Sequence, residues 1–287
     1  MEWMKPPYPV RDRVVLITGA GQGIGAETAR LLHARGAEIA VVDIDTVAAE
    51  SLAKSLGDRA FPVTADVADR GEMASVIEEV VNRFGQLDVV VANAGVVPAP
   101  ATLRSMDASA FDRVLDINLT GVFNTVHPAL DHVIRARGHI VVVSSCAAFA
   151  PGMGGAPYMI SKAGVEQLGR ALRVELSAHR ATAGIAYFGI VDTAMTRNTL
   201  DDNEIGRRLE ELLPWPLKTR ITAEQAARTI ADGIEHRAAR TIAPAGWQPY
   251  ALFRGLINTV LDGALTRDPR VHALLREVEA RTVVRSR

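Results

Sequence analysis

Short runs rich in Val, Ile and Ala alternate along this chain with longer segments whose apolar residues recur at helical spacing. The strand candidates are Val14 to Ile17, Ile39 to Asp43, Ala60 to Thr64, Val89 to Asn93, Ile140 to Ser144, Gly184 to Tyr187 and Thr241 to Ala243. Helical periodicity marks Gly25 to Arg35, Val47 to Leu56, Gly71 to Phe84, Phe111 to Arg135, Tyr158 to His179 and Ala223 to His236. Most strand runs are apolar throughout, as suits strands covered on both faces. The pattern predicts an α/β fold: a Rossmann-type, doubly wound parallel sheet of seven strands with helices on both faces. No repeat, low-complexity tract or Pro/Gly linker splits it, so one domain over 1–287 is expected. Within it, 189–221 reads as a substrate-loop insertion, because Thr193 to Ile221 is polar and then runs Leu-Leu-Pro-Trp-Pro-Leu. Residues 244–287 read as a carboxyl-terminal helical extension.

Composition narrows the function classes. At 287 residues and 48% hydrophobic, the chain has ample apolar material for a covered sheet. Lys plus Arg (32) against Asp plus Glu (33) gives a formal charge of -1, without the basic footprint of a nucleic-acid binder. The single Cys146 excludes an internal disulfide framework. The start carries Glu2, Lys5, Pro6, Pro7 and Pro9 where a signal peptide would be apolar, so a cytoplasmic protein is expected. No apolar run reaches the roughly 18 residues needed to span a bilayer, which restricts any membrane contact to its surface.

Directly after the first strand comes Thr18-Gly19-Ala20-Gly21-Gln22-Gly23-Ile24-Gly25, opening an amphipathic helix. Glycines here allow a sharp turn and bring backbone N–H groups close to a pyrophosphate, while the helix N-terminus favours the anion. Alone, such a cluster is also found in ordinary turns; the strand before it and the helix after it favour the phosphate reading. Asp43 closes the second strand where an adenosine ribose would offer its hydroxyls. Its carboxylate should accept them and repel a 2′-phosphate, which points to NAD. Asp45 is the neighbouring alternative, and a solvated strand-end Asp is the bland one. Ala20 leaves the loop without a cation, and Arg13 is the side chain that could still bring one.

From Thr18 onward the pattern resembles the short-chain dehydrogenase/reductase family in its Gly-x-x-x-Gly-x-Gly form, here Gly19, Gly23 and Gly25. The resemblance runs from about Arg13 to Ala243. Asp66-Val67 matches the family's adenine-contacting pair, Asn93-Ala94-Gly95 its turn after the fourth strand, and Asn118 its helix Asn. Ser145 precedes Tyr158 by the family's usual interval, and Tyr158-Met159-Ile160-Ser161-Lys162 is its Tyr-x-x-x-Lys. After the sixth strand the family commonly shows Pro-Gly, whereas this chain has Phe188-Gly189, which should leave that loop less restricted in φ. By resemblance, Gln22, Ile24, Gly189, Val191 and Thr193 join the cofactor contacts, with Tyr158 and Lys162.

The resemblance implies an oxidoreductase acting on a secondary alcohol or ketone. Tyr158 is the candidate acid/base, and Lys162, one helical turn on, would favour its phenolate and hold the nicotinamide ribose. Ser145 would polarise the substrate oxygen. Asn118 would steady a water beside the lysine as a proton relay, or else satisfy backbone groups where its helix bends. Taken singly, a packed Tyr, a surface Lys and a turn Ser are ordinary; their order behind a dinucleotide cradle is not. Cys146 reads as a packing residue because His139 belongs to the far end of its strand, and the scattered histidines predict no metal. The resemblance also implies a homo-oligomer, dimer or tetramer, pairing the helices Phe111 to Arg135 and Tyr158 to His179.

Tyr250 to Leu265 places Phe253, Leu256, Ile257, Val260 and Leu261 near one helical stripe. Burial against the domain or another subunit, a cover over the substrate, and membrane-surface contact are the readings, in that order. Met195, Leu213 and Trp215 suggest a lipophilic substrate. Three rivals stand beside the alcohol dehydrogenase: a physiological ketone reductase, a nucleotide-sensing protein on the same fold, and a scaffold subunit. The intact Ser145, Tyr158 and Lys162 argue against the sensing protein, and measurable turnover with any alcohol panel would discriminate the scaffold.

Overall fold

The computed structural model describes residues 7–213, 215 and 217–285, and the side chains up to 281. Glu2, Lys5 and Pro6, and Pro214 and Pro216 of the inserted segment, lie outside the described residues. The strands are β1 (Val14–Thr18), β2 (Glu38–Asp43), β3 (Ala60–Thr64), β4 (Val89–Ala92), β5 (His139–Val143), β6 (Thr182–Phe188), β7 (Ile190–Asp192), β8 (Arg220–Thr222) and β9 (Arg240–Ala243). Seven form one parallel sheet in the order β3-β2-β1-β4-β5-β6-β9. β7 and β8 pair separately as a two-stranded parallel ribbon.

Alternate residues of each strand face opposite layers, and both layers are apolar. Leu16, Val42, Val90 and Val142 point to one side, under Met73, Ile77, Val122 and Val165. Val15, Val41, Val91 and Val141 point to the other, under Ala29, Leu32, Leu52, Ile230 and Ile234. Each such aliphatic side chain withdrawn from water contributes about 1.5–3 kcal/mol, so the continuous apolar runs are what a two-sided sheet requires.

The helices are α1 (Gly23–Ala34), α2 (Thr46–Leu56), α3 (Arg70–Phe84), α4 (Ala108–Leu115), α5 (Gly121–Val126), α6 (Leu130–Arg135), α7 (Ala156–Ser177), α8 (Ala194–Thr196), α9 (Glu204–Glu211), α10 (Ala223–Glu235), α11 (Gln248–Leu265) and α12 (Pro269–Arg285). Their starts are written in the local chemistry. Asp45 caps α2 by accepting from Ala48 N–H, and Asp69 caps α3 by accepting from Gly71 and Glu72 N–H. Thr222 and Gln225 form a reciprocal capping box on α10.

Three expectations are revised. The single helix expected over Phe111 to Arg135 begins earlier and is interrupted, by a π-helical turn at Asp116–Thr120 and by a 3-10 turn carrying Pro128 at His127–Ala129. The inserted segment is not irregular: it holds α8, a π turn at Arg197–Asp201, α9 and β8. Arg220 of β8 staples it, forming ion pairs with both Asp201 and Glu210 at 2.6 Å. The stripe on α11 divides, since Ile257 and Leu261 pack on the core while Phe253, Leu256 and Val260 face outward.

α12 lies across two distant segments. Leu274 and Val278 pack on Ile205 of α9, and Arg281 pairs with Glu204 at 2.6 Å. Glu277 pairs with Arg208, also of α9. Glu279 accepts from Thr102 Oγ1 at 3.0 Å and from Arg104 at 2.9 Å, both in the loop after β4. No described helix is long and apolar enough to cross a membrane.

His139 is fully buried at the start of β5, its Nδ1 2.8 Å from Thr182 Oγ1. Burial, reinforced by the Arg237 guanidinium, pushes its imidazole down to about 3. The unfolded chain takes up this proton near 6.5 and the folded chain does not, so the contribution is whole above 6.5 and lost as pH falls towards 3. Urea unfolding should show a loss of up to about 1.4 kcal/mol per pH unit in that window. His139→Asn should remove most of the slope between about pH 6.5 and pH 5; equal slopes in the two proteins would show that the ring charges without unfolding.

Candidate active site

The sheet reverses its winding at β1 and β4, so the loops following those strands part and leave a crevice at their carboxyl ends. A cavity of about 540 Å³ occupies it. The glycine loop forms one wall. Gly19 (φ 62°) and Gly23 (φ 55°) adopt the left-handed conformation, and a Cβ on Gly25 would lie 2.2 Å from the Gly19 carbonyl oxygen. α1 then starts at Gly23 with no side-chain cap from Gln22 and no acidic residue in its first turn, leaving its first amides open towards the cavity. A loop with no room for a Cβ at Gly19, Gly21 and Gly25, with uncapped amides behind it, fits the pyrophosphate of a dinucleotide.

Asp43 stands at the end of β2 beside this loop. Its Oδ2 accepts from Gly21 N–H at 2.8 Å and its Oδ1 from Asp45 N–H at 3.0 Å. Each oxygen keeps a further lone pair, so the carboxylate both braces the loop and retains capacity towards the cavity. On the opposite wall Thr18 Oγ1 accepts from the N–H groups of Asn93 and Ala94, while Asn93 Nδ2 donates to the Thr18 and Gly19 carbonyls. Asp66, Val67, Ala94, Gly95, Gln22 and Ile24 line the same cavity, as do Gly189, Val191 and Thr193.

Ser145, Tyr158 and Lys162 also meet on it. Ser145 Oγ accepts from Ala147 N–H at 3.1 Å, capping the short turn Cys146–Phe149, and donates to the Phe188 carbonyl at 3.2 Å. Lys162 is buried, with Nζ donating to the Val143 carbonyl at 3.0 Å and standing 5.7 Å from the Tyr158 ring centre. Desolvation brings its ammonium down to about 8. Tyr158 is half-buried, and desolvation raises its phenol while the Ser145 hydroxyl pulls it the other way. The expectation is a phenolate favoured by Lys162; desolvation is the largest influence on the phenol here.

Asn118 is fully buried in the π turn. Its Oδ1 accepts from Val96 N–H at 2.7 Å and its Nδ2 donates to the Val96 carbonyl at 2.9 Å and to Ser161 Oγ at 3.1 Å. A Cβ on Gly95 would stand 3.3 Å from both Asn118 Oδ1 and Lys162 Nζ, so Gly95 is what lets these two side chains approach the same point.

The short chain dehydrogenase family model matches residues 13–204 of this chain. The chain belongs to that family. It is 38% identical over 188 residues to cis-4-hydroxycyclohexanecarboxylate dehydrogenase of Sinomonas cyclohexanicum, covering 64% of this chain and 75% of that one. To the probable oxidoreductase EphD of Mycobacterium tuberculosis it is 33% identical over 275 residues, 92% of this chain but 45% of that longer protein. Among solved structures, levodione reductase superposes with a TM-score of 0.76 at 29% identity, over 84% of this chain and 99% of that one.

Within this short-chain dehydrogenase several neighbouring expectations resolve. Arg13 does not reach the cavity: it pairs with the buried Asp88 at 2.7 Å, where β1 begins. Asp45 is a helix cap. Cys146 is buried and its thiol pushed up by desolvation, as a packing residue would be. Of the apolar residues in the inserted segment, Met195 lines the cavity, whereas Trp215 is largely exposed and neither it nor Leu213 lines it. The loop lacking its proline is not loose, because Gly189 N–H donates to the Ala243 carbonyl at 2.9 Å and Trp247 packs so closely that a Cβ on Gly189 would lie 2.5 Å from its Nε1. Val96, Arg113 and Ile117 line the cavity without having been singled out. Arg113 sits four residues before Ile117, so the two share a helix face, but neither stands at helical spacing from Asn118.

The Asn118 bonds make its removal costly whatever else it does. Asn118→Ala should lower stability by about 1–3 kcal/mol, since it orphans both polar groups of Val96. Chemical denaturation measures this, and an unchanged midpoint would show that Val96 finds water or another partner.

Proposed function

We propose that this short-chain dehydrogenase exchanges hydride between NAD and a secondary alcohol or its ketone. The observation carrying the reading is that Ser145, Tyr158 and Lys162 line the same cavity as the glycine loop and Asp43. A nicotinamide dinucleotide, when bound, accepts or supplies the hydride. Tyr158 is the proton-transfer group: its phenol receives the alcohol proton or gives its own to a carbonyl oxygen. Ser145 positions that oxygen, exchanging its present acceptor, the Phe188 carbonyl, for the substrate. Lys162, about 8 and therefore largely charged at neutral pH, draws Tyr158 towards phenolate and is available to the ribose. Asn118 supports the lysine through a water relay.

Val96 and Met195 on the cavity wall favour an apolar substrate, and the name of the Sinomonas relative makes a ring-borne secondary alcohol the first to try. The likeness to levodione reductase favours a second reading, in which the same site works chiefly as a ketone reductase. Screening alcohols and ketones with NAD and NADH, followed by nicotinamide absorbance, tests both.

Tyr158→Phe should lower kcat by at least about a hundredfold while leaving NADH affinity little changed. Near wild-type turnover on a good substrate would remove Tyr158 from the mechanism.

Cofactor choice rests on Asp43. The carboxylate suits the ribose hydroxyls through charge-assisted hydrogen bonds, and a 2′-phosphate would meet its charge with Arg13 held away at Asp88. NAD should therefore be preferred over NADP, and Asp43→Ala should shrink the ratio of their kcat/KM values by on the order of a hundredfold. An unchanged ratio, or a wild-type preference for NADP, would reject the assignment.

A further inference from the structure

The family model ends at residue 204, yet part of the chain beyond it grips the proposed site from beneath. Ser145 caps the amino end of the four-residue turn Cys146–Phe149; the carbonyl at its other end, on Phe149, has no partner within so short a turn. α11 supplies the partners. Asn258 Nδ2 donates to the Phe149 carbonyl at 2.9 Å, and the Tyr250 hydroxyl lies 3.0 Å from the same oxygen and 2.8 Å from Asn258 Oδ1. One helical turn after Tyr250, Arg254 stacks over the Phe149 ring at 5.1 Å and clasps Glu166 with two bonds of 2.7 and 2.5 Å. Glu166 lies four residues past Lys162 on α7, the helix that also carries Tyr158. A single helix thus touches both bodies whose relation sets the distance from the Ser145 hydroxyl to the Tyr158 phenol.

We propose that Tyr250, Arg254 and Asn258 are positioning residues, which fix the Ser145 turn against α7 and so align Ser145 with Tyr158. The inference rests on the catalytic reading of those two residues given above. A four-residue turn has little slack: freeing the Phe149 carbonyl shifts the whole turn, Ser145 included. The chemical consequence is specific. Ser145 is what lowers the Tyr158 phenol against its burial, so a displaced Ser145 leaves the phenol higher. Tyr250 is itself buried, packed between Trp247 and Phe149, so its ring is needed for the core but its hydroxyl only for this contact.

The experiment uses the full chain with NAD and cyclohexanol or cis-4-hydroxycyclohexanecarboxylate as probes, comparing wild type, Tyr250→Phe, Asn258→Ala, their double variant and Tyr158→Phe. The double variant should lose between about tenfold and a hundredfold in kcat, the scale for a misplaced reacting group. Its NADH affinity should stay near wild type, and the alkaline rise of its pH profile should move upward. Amide exchange of the peptide spanning Ser145 to Phe149 should quicken, a readout that needs no substrate. Should Asn258→Ala fail to fold, Tyr250→Phe alone decides, through the exchange rate and the pH profile. Wild-type exchange together with an unmoved pH profile in the folded variants overturns the proposal. If instead Tyr158→Phe retains full turnover, the catalytic reading fails, whereas quickened exchange in the α11 variants would still show that the clamp holds the turn.

Discussion

The hydrogen-bonded lock between Thr18 and Asn93 is the contact on which the rest of the site depends. β1 and β4 are adjacent and parallel, but the chain leaves them in opposite directions, which is why a crevice exists between their following loops. Without a tie at that point the two loops would drift independently. Thr18 accepts two backbone N–H groups from the β4 side, and Asn93 returns two donations to the glycine loop. The cradle is thereby in register with Gly95, and through Gly95 with Asn118 and Lys162. The packing is dense enough that Gly19, Gly25 and Gly95 each lack room for a side chain without displacing a neighbour.

Electrostatics and burial oppose one another at the end of the cavity that holds Tyr158 and Lys162. Lys162 and Tyr158 are held where desolvation weakens the charge of the first and raises the phenol of the second. Burial alone thus holds the proton on the phenol and makes the ammonium easier to deprotonate. The Ser145 hydroxyl then has leverage out of proportion to one hydrogen bond. Its orientation is decided by the Ala147 amide and the Phe188 carbonyl, both backbone groups, so side-chain changes at position 188 can leave this contact intact. That accounts for the family's usual proline being dispensable here: the carbonyl serves, and Trp247 and β9 restrain the loop in the ring's place.

Most of the sheet was legible in the sequence because a strand buried on both faces must be apolar at every position, a signal that survives without neighbours in view. The paired motifs were legible for a related reason, since glycine positions and a Tyr-x-x-x-Lys spacing are local. What escaped was decided at a distance. The interruption of the helix at Asn118 answers to Val96, and nothing inside the segment Asp116 to Thr120 announces it. β7 and β8 are too short to carry a periodic signal and exist because they pair with each other. The stripe on α11 looked continuous, but Arg254 and Asn258 lie between its apolar residues and fasten one side to partners 88 and 109 residues away. Tyr158 showed the opposite failing: its identity was plain and its environment was not, because desolvation is a property of everything packed around it.

The bridge made by α12 ties together two segments, the loop after β4 and α9, that lie just beyond the cavity-lining Val96 and Arg197. Thr102 in the loop after β4 and Glu204 in α9 are separated by a gap of about a hundred residues in sequence. α12 spans it, partly through Leu274 and Val278, but largely through carboxylates and guanidinium groups that remain in contact with water, such as Arg104, Glu204 and Arg281. Dissolved ions screen exposed pairs of this kind over roughly 8–10 Å at ordinary ionic strength, and screen the buried bonds around Lys162 and Asn118 far less. Salt therefore loosens the outer brace that α12 forms while leaving the buried bonds around Lys162 and Asn118 nearly untouched, so the two parts of the molecule answer differently to their ionic surroundings.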